Sequence, residues 1–240
     1  LEEFEPIAKG GSNAWVVPPI KETINWTGDG QEMMRANREA WTRNKHLYGR
    51  PGLAWTYIKD TGRRFGYYPG GLFSHTSLML FPRGEKSLWQ MMSILNSSLY
   101  HALFLSLTTE RHWNAGEVGS VPWLEQLENI EEIEQTAKDQ YRTVLKERIQ
   151  DPVSPYYAAP SLYPSTDEEF EFFYDHPHGE AVQSELDVKG HSTSPATSIV
   201  EAARDSRKEQ LKRQKRLETL SDQTDELIYD DLKIPEHSRE

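Results

Sequence analysis

The sequence predicts an α+β fold, in which a small β-sheet packs on helices and a long helix lies towards the C-terminal end. Short aromatic or β-branched runs bounded by glycine and proline lie between residues 51 and 82, and this pattern is typical of strands. Longer stretches with helical apolar spacing follow, and these are typical of amphipathic helices. The 240 residues suffice for one large or two small domains.

Three strands are predicted, at "LAWTYI", "RFGYY" and "TSLMLF". Residues 1–23 contain one Gly-Gly and one Pro-Pro pair, so they predict an irregular or strand-like N-terminal segment. Residues 30–46 contain helix-forming residues and no proline, which favours a short helix. We expect the sheet to pack on the apolar helix that follows it.

One continuous apolar helix is predicted from Ser87 to Leu107. Its polar residues recur every three or four positions and form one narrow stripe: Gln90, Ser93, Ser97 and His101. These polar groups argue against a membrane span, which needs about 20 predominantly apolar residues. Within the helix, Asn96 and Ser97 are expected to satisfy backbone groups or to pack closely against a neighbouring element.

Two further long helices are predicted. One begins after the "GEVGSVPW" turn, where Pro122 is acceptable in a first turn, and ends at Asp151-Pro152. The other extends from about Ser198 to Leu232 and has a sparse apolar seam. Its charged middle, "RDSRKEQLKRQKR", resembles one strand of a coiled coil or a bridging helix.

These elements predict four parts of the chain. Residues 1–122 form the sheet-bearing domain, and residues 123–151 form a long helix that acts as a spacer. Residues 152–197 are rich in Pro, Tyr, Ser and acids and form a linker or insertion. Residues 198–240 form the C-terminal helix.

The charge of the chain is strongly uneven. The net charge of −11 argues against a protein that coats DNA uniformly, but eight basic residues and two acids lie between Arg35 and Arg64. Eight acids and no Lys or Arg lie between Asp167 and Asp187. Such asymmetry often separates a surface that faces a polyanion from a solvated tail. The sequence has no cysteine and no recognisable signal peptide, which favours a reducing cytoplasm.

Catalytic signatures are missing from the sequence. It contains no Gly-x-x-x-x-Gly-Lys-Ser/Thr loop, no Gly-x-Gly-x-x-Gly loop and no Gly-x-Ser-x-Gly elbow. The segment "DHPHGE" brings together four potential metal ligands, Asp175, His176, His178 and Glu180. A solvated acidic loop is the simpler interpretation, because helical spacing and a distant fourth ligand are lacking.

The basic segment is the better functional candidate, because its cations alternate with aromatic residues: Trp41, Tyr48, Trp55, Tyr57, Tyr67 and Tyr68. Arginine and lysine bind phosphates and guanine edges, and aromatic rings and hydroxyls add stacking and hydrogen bonds. The alternative is that Trp55, Tyr67 and Phe73 are core residues of the sheet, and that several arginines merely solvate a surface.

Four segments occur in a characteristic order: "NKHLYGRPGLAWTYI", "GRRFGYYPGGLFSHTSLMLFP", "LWQMMSILNSSLYHALF" and "HWNAGEVGSVPW". Together they resemble the target-recognition region of large adenine-specific DNA methyltransferases, the Eco57I-like type IIG enzymes and the methylases of BREX phage-defence systems. The end of the chain, "TDELIYDDLKIPEHSRE", is similar to the tail that closes such enzymes. The resemblance covers residues 12–150 and 198–240. The chain departs from many relatives at "FSHTSLMLF", where they carry Asp-Gly-Gly after the Phe.

The resemblance implies sequence-specific recognition of double-stranded DNA by part of an N6-adenine DNA methyltransferase in a restriction-modification or phage-defence system. Lysines and arginines would neutralise phosphates, loops around Asn44–Tyr57 and Ser74–Ser77 would contact base edges, and the long helices would set the distance to the catalytic domain. The residues expected to contact DNA are Arg43, Asn44, Lys45, Arg50, Trp55, Tyr57, Lys59, Arg63, Arg64, Ser74 and His75.

The same resemblance implies that catalysis lies elsewhere in the parent protein. The family uses an Asn-Pro-Pro-aromatic motif and a glycine-rich S-adenosylmethionine loop, and neither occurs here; "VVPPI" lacks both the Asn and the aromatic residue. We therefore expect this chain, which begins at Leu1, to be an inactive fragment without a cofactor, and S-adenosylmethionine to bind the missing catalytic domain. Two alternatives stay open: a protein-interaction module of a defence complex, and a stand-alone enzyme with unrecognised chemistry.

Overall fold

A computed structural model describes residues 4–9, 15–18, 20–37, 42–58, 62–108, 111–150 and 199–239, and gives only the backbone for residues 199–202. The predictions for the acidic segment, including the "DHPHGE" cluster, and for Trp41 and Lys59 fall outside the described residues. The predicted α+β class is confirmed, because two small sheets pack with several helices and a long C-terminal helix.

The described strands form two three-stranded sheets. The first consists, in spatial order, of β2 (Glu22–Asn25), β1 (Phe4–Ala8) and β5 (Leu72–Phe73). The second consists of β4 (Phe65–Tyr68), β3 (Gly52–Thr56) and β6 (Ser77–Leu80). β1 pairs antiparallel with β2 and parallel with β5, and all pairs of the second sheet are antiparallel. The three strands predicted from the apolar runs are β3, β4 and β6. The N-terminal prediction is confirmed by β1, whereas β2 and β5 were not predicted as strands.

The central strand β3 is buried along its whole length. Its apolar residues face neighbours on both sides, as expected of a strand covered on both faces. At its start, a Cβ on Gly52 would lie 2.9 Å from the carbonyl oxygen of Leu80 and 3.0 Å from the ring of Phe81. Only glycine therefore allows β6 to lie this close to the start of β3.

The described helices are α1 (Thr27–Ala36), α2 (Leu88–Leu95), α3 (Ser98–Leu107), α4 (Ala115–Ser120), α5 (Glu131–Arg148) and α6 (Ile199–Asp231). The helix predicted over residues 30–46 ends early, at Ala36, and a short 3-10 turn follows at Lys45–Leu47. The C-terminal helix matches its prediction closely. None of the helices in the described parts of the chain is long and apolar enough to cross a membrane.

The prediction of one continuous helix from Ser87 to Leu107 is wrong, because the chain breaks at Asn96 and Ser97. The side-chain oxygen of Asn96 accepts hydrogen bonds from the backbone N–H groups of Arg64 (3.2 Å) and Phe65 (3.1 Å). Its amide nitrogen donates to the carbonyl oxygen of Phe65 at 2.8 Å. The Asn96 side chain therefore satisfies backbone hydrogen-bonding groups at the start of β4, which confirms the prediction for this residue.

Ser97 begins the second helix of this pair. Its hydroxyl donates to the carbonyl oxygen of Ile94 (2.7 Å) and accepts from the backbone N–H of Tyr100 (3.3 Å), as an N-cap does. The next N–H, that of Ser98, donates to the carboxylate of Asp225 in α6 at 2.7 Å, and the Ser98 hydroxyl donates to the same carboxylate at 2.6 Å. The N-terminus of α3 is thus bound to α6, and the negative carboxylate suits the helix dipole.

The helix predicted to start after Pro122 begins instead at Glu131. α4 and a 3-10 turn at Glu125–Asn129 occupy the intervening residues. The predicted apolar face is nevertheless buried over most of α5, which packs against α2 and α6 in one hydrophobic core with the second sheet. Its residues in that core are Ile133, Ala137, Tyr141, Val144 and Leu145.

Replacement of Asn96 by Ala should lower the free energy of unfolding by about 3 kcal/mol. It would take this acceptor from the buried backbone N–H groups of Arg64 and Phe65, whereas the Phe65 carbonyl oxygen keeps its bond from the Val16 N–H, and each unsatisfied group costs about 1–3 kcal/mol. Urea denaturation measures the change. Asn129→Ala is the matched control, because Asn129 is exposed and its amide makes one bond, to the Gln126 carbonyl oxygen; a change below about 0.5 kcal/mol is expected. Equal losses in the two variants would contradict the assigned role of Asn96.

A second prediction concerns pH. Hydrogen bonds from Lys86, and then from Trp123, hold the pKa of Glu128 below its ordinary value. The stability that Glu128 contributes is therefore present above its unfolded pKa of about 4.3, and it is lost as the pH falls through the lowered folded value. Glu128→Gln should lower the melting temperature at pH 7 and make less difference at pH 3. A loss that is the same at both pH values would contradict an ionic role for Glu128.

Candidate nucleic-acid interface

Four half-buried aromatic rings form a continuous row on the side of the molecule where the two sheets meet. Trp26 and Tyr48 have ring centroids 5.5 Å apart, Tyr48 and Phe73 5.0 Å, and Phe73 and Phe81 5.8 Å. The first two contacts are edge-to-face, the geometry that ring quadrupoles favour. We call these residues the aromatic row.

Backbone turns and hydrogen bonds position the middle of the row. Asn44 has a left-handed conformation (φ 54°) and begins the 3-10 turn at Lys45–Leu47, so that Tyr48 follows directly. The N–H of Gly49 then donates to the carbonyl oxygen of Gly71 at 3.1 Å. Gly71 has a φ of +106°, and a Cβ there would lie 2.6 Å from the hydroxyl of Tyr68. Glycine at position 71 therefore permits the approach that places Tyr48 beside Phe73.

Cations flank both ends of the row. The ammonium of Lys45 lies 5.6 Å from the ring centroid of Trp26 and donates to the backbone oxygen of Asp29 at 2.6 Å. The guanidinium of Arg50 lies 5.9 Å from the ring of Phe81. Both side chains are exposed, and neither forms an ion pair with a described residue. Their charges therefore remain available to a ligand.

The segments that carry Tyr48, Phe73 and Phe81 have a positive charge, whereas the segment of Trp26 also contains Glu22, Asp29 and Glu32. Residues 42–58 and 62–84 contain no Asp or Glu, although the whole chain carries −11. Burial raises the pKa of Tyr48 above its ordinary value of about 10, at which the hydroxyl is already neutral at physiological pH. Arg43 and Asn44 are exposed on the same turn as Lys45. We call the aromatic row together with Arg43, Asn44, Lys45 and Arg50 the cation–ring surface.

The turn after Phe73 carries two further predicted residues. The hydroxyl of Ser74 lies 2.8 Å from that of Thr76 and accepts the Thr76 N–H at 3.3 Å, which shapes the turn. The Ser74 N–H donates to the carbonyl oxygen of Ala8 at 2.9 Å. His75 is exposed at the tip of this turn. The turn is therefore fixed by its own hydrogen bonds and presents one imidazole to solvent.

Two residues predicted to contact DNA, Arg64 and Trp55, lie in the interior instead. The side chain of Arg64 is 1% exposed; its guanidinium stacks 4.1 Å over the ring of Trp113 and donates to the carbonyl oxygen of Arg111 at 3.0 Å. The indole N–H of Trp55 donates to the carbonyl oxygen of Trp113 at 3.1 Å, and the ring packs in the core. Both belong to the contact between the second sheet and the helices, so their assignment to DNA binding is corrected. For Trp55, the core alternative is confirmed.

Arg63 and Tyr57 lie away from the cation–ring surface. The guanidinium of Arg63 donates to the carbonyl oxygen of Asn96 at 2.9 Å, lies 3.8 Å from the carboxylate of Asp225 and is one third exposed. It therefore ties β4 to α6, rather than being held ready for a ligand. Tyr57 is half-buried against His112, and β3 separates it from Arg50. The predicted patch thus divides into a surface part and a structural part.

Sequence reasoning missed Trp26 and Phe81, which complete the aromatic row. They lie 22 residues before and 33 residues after Tyr48 in the chain, so no local pattern indicates that they meet. The signal that was available is the left-handed tendency of Asn44 and the adjacent glycines, which marks residues 44–52 as a tightly turned segment. Tyr67, by contrast, is half-buried, stacks on Trp89 with ring centroids 4.0 Å apart and packs against the core.

In the described part of the chain, no group of three or more His, Cys, Asp or Glu side chains could hold a metal ion. Chemically, the cation–ring surface provides positive charge, half-exposed π-faces and an exposed amide. This combination suits a ligand that has both phosphates and flat bases.

The fold and this surface describe an α+β protein that presents cations and half-buried aromatic rings on one face. No protein-family model matches the sequence. The chain is similar to a curated protein, the adenine-specific methyltransferase BrxX of Escherichia coli O9:H4 (strain HS), with 28% identity over 120 residues. The matched stretch is 49% of this chain and 10% of that protein, so the chain spans a small part of the length of its relative. The similarity supports a relationship to adenine-specific methyltransferases.

The different positions of Arg64 and Arg50 predict different effects on stability. Arg64→Gln should lower the free energy of unfolding by about 2–4 kcal/mol, because it removes a buried stacking contact and leaves the carbonyl oxygen of Arg111 without this donor. Arg50→Gln should change it by less than about 0.5 kcal/mol, because the side chain is exposed. Guanidinium chloride denaturation measures both values. Two small and equal effects would show that Arg64 is not the interior residue described above.

Proposed function

We propose that this chain is the sequence-specific DNA-recognition portion of an N6-adenine DNA methyltransferase, which acts in the cytoplasm in a restriction-modification or phage-defence system. The observation that carries the proposal is the cation–ring surface, where cations flank a row of half-buried rings, three of which (Tyr48, Phe73 and Phe81) lie in segments without carboxylates. The similarity to the methyltransferase BrxX supports the enzymatic context.

Phosphate binding would come from Lys45, Arg50 and Arg43. Lys45 and Arg50 already lie over aromatic rings, so less side-chain freedom is lost when they bind. Each phosphate that they neutralise releases counterions from the duplex, which supplies affinity without sequence preference. These contacts fix the position of the domain on the duplex.

Base recognition would come from groups that the fold holds near those cations. The Asn44 amide has the donor–acceptor pair that matches adenine N6 and N7, and the arginine fork matches guanine O6 and N7. His75 and Ser74 lie on the turn that follows Phe73 and would provide a second set of contacts to base edges. A correct bidentate pair discriminates by about 1–3 kcal/mol per base pair.

Methyl transfer is assigned to a catalytic domain of the same parent protein, which would bind S-adenosylmethionine and extrude the adenine from the duplex. The described residues of the one proline pair that resembles the family's motif do not fit that task. The proline pair of "VVPPI" follows Val16 and Val17, which are buried, and Val16 forms backbone bonds with Phe65 and Tyr67 in β4. This segment packs the core and offers no side-chain amide to hold an adenine amino group. No catalytic role is assigned to this chain.

A protein-interaction module of a defence complex is the second candidate. It is favoured by exposed apolar side chains, namely Leu105 and Leu107 on α3 and Ile58, which forms an isolated bridge with His112. Affinity for a protein partner through these residues would depend weakly on salt, whereas DNA binding falls steeply as salt rises. The salt dependence of binding therefore separates the two candidates.

The double variant Lys45→Gln/Arg50→Gln should weaken binding of duplex DNA by about tenfold or more at 0.1 M salt. Two phosphate contacts would be lost, so the slope of log K against log salt should fall in magnitude by about 1.8. Fluorescence anisotropy with the full chain and labelled duplexes of random sequence measures both quantities. Selection of preferred duplexes from the same pool then tests sequence specificity.

The matched control is Lys138→Gln/Lys233→Gln, which removes the same charge from α5 and from the turn after α6. It should bind nearly as well as the natural chain. Equal binding by all three proteins would refute the assignment of DNA recognition to the cation–ring surface. Binding that Leu105→Ser abolishes, and that salt does not weaken, would favour the protein-interaction module.

A further inference from the structure

The first described half of α6 extends beyond the body of the protein. Side chains from Ala203 to Lys212 and from Gln214 to Arg216 are exposed or nearly so, and Leu211 is 59% exposed. Arg213 donates to the side-chain oxygen of Gln150 at 3.2 Å, and apolar packing begins at Leu217 and continues through Leu220 and Ile228, which contact α5 and α2. Helix propensity and charge, more than contacts with the core, therefore support the helix over residues 203–216.

One face of this exposed half is a cationic stripe. Arg204, Lys208, Leu211 and Lys215 are spaced by four, three and four residues, so they lie along a single line of the helix. The seam of α6 that faces α5 and α2 consists of Arg213, Leu217, Leu220 and Thr224. Each residue of the stripe lies nine residues before one residue of this seam. Nine residues are two and a half turns, so the stripe faces away from the core. Its length is about 16 Å, at 1.5 Å per residue.

The stripe keeps its charge. Residues 204–216 contain seven Lys or Arg and two acids, in a chain whose net charge is −11. Two of the seven belong to the body of the protein, because Arg213 lies on the core-facing seam and Arg216 lies 3.6 Å from the carboxylate of Asp139. Lys208 pairs with Asp205 and Lys212 with Glu209, but these pairs are exposed and contribute little. Arg204, Arg207 and Lys215 form no ion pair with any residue that the structure describes. A cationic stripe of this kind either binds a polyanionic partner or stays in contact with solvent.

We propose that this stripe binds the sugar–phosphate backbone of duplex DNA, as a second contact separate from the cation–ring surface and independent of base sequence. The identification of the polyanion as DNA rests on the proposed function. The proposal that the stripe binds phosphates rests on the charge and geometry of α6. The stripe carries three cations along about 16 Å, and one DNA strand carries a phosphate every 3.4 Å along the axis, so each cation can meet a different phosphate.

The alternative partner, a second copy of this helix, fits the stripe poorly. A coiled coil needs apolar residues at two positions of every heptad. The outer face of residues 204–215 offers one, Leu211, among cations that would repel those of a second copy. Charge complementarity therefore favours a phosphate backbone over self-association.

The test uses the full chain with Arg204→Gln/Lys215→Gln. Glutamine keeps helix propensity, and both positions are exposed, so the variant should fold normally, as circular dichroism would verify. We expect about tenfold or weaker binding to every duplex at 0.1 M salt and a salt slope smaller in magnitude by about 1.8, with the ranking of preferred duplexes unchanged. The control Lys138→Gln/Lys233→Gln removes the same charge elsewhere and should bind nearly as the natural chain does.

The outcomes separate this inference from the proposed function. If the α6 variant loses affinity and the Lys45/Arg50 variant does not, the stripe on α6 binds DNA and the assignment of DNA binding to the cation–ring surface is wrong. If the α6 variant binds all duplexes as tightly as the natural chain does, the inference is overturned, whatever the other variant does. A natural chain that is dimeric by light scattering and becomes monomeric in the α6 variant, without a change in DNA affinity, would also overturn it.

Discussion

The structure depends on the side chain of Asn96. Its amide interrupts an otherwise continuous apolar helix and uses all three of its hydrogen bonds on the backbone at the start of β4. The break creates a second helix N-terminus at Ser97 and Ser98, to which Asp225 of α6 binds. One polar residue thus connects the second sheet, the α2–α3 pair and the C-terminal helix, segments that lie far apart in the chain. Buried networks of this kind specify one arrangement, because a partly satisfied network is costly.

The arginines and lysines of the chain divide between structural and exposed positions. Arg64 stacks on Trp113 in the interior and Arg63 binds Asn96 and Asp225, so both hold β4 against the helices. Lys45, Arg50 and the outer face of α6 remain at the surface without carboxylate partners among the described residues, apart from the exposed pair of Lys208. Arginine and lysine therefore stabilise the packing at one end of β3 and present positive charge to solvent at the other end.

Sequence patterns predicted much of the fold but fewer details of the candidate site. Glycine and proline punctuation was enough to locate β3, β4 and β6, and helical spacing was enough for α6. The break at Asn96 could not be predicted, because the polar stripe has helical spacing on both sides of it and β4, the partner of Asn96, is more than 25 residues away. Charge counting identified Lys45 and Arg50 as surface cations. It misplaced Arg64, because only the tertiary structure shows that Trp113 covers its guanidinium.

Lysine footprinting by mass spectrometry tests the central claim, that the cation–ring surface contacts duplex DNA, most directly. The chain is acetylated briefly with and without a saturating duplex, and the reactivity of each lysine is compared. The account predicts strong protection of Lys45, which lies over Trp26, and unchanged reactivity at Lys138 and Lys233. Unchanged reactivity at Lys45 in a chain that is demonstrably bound to DNA would contradict the account.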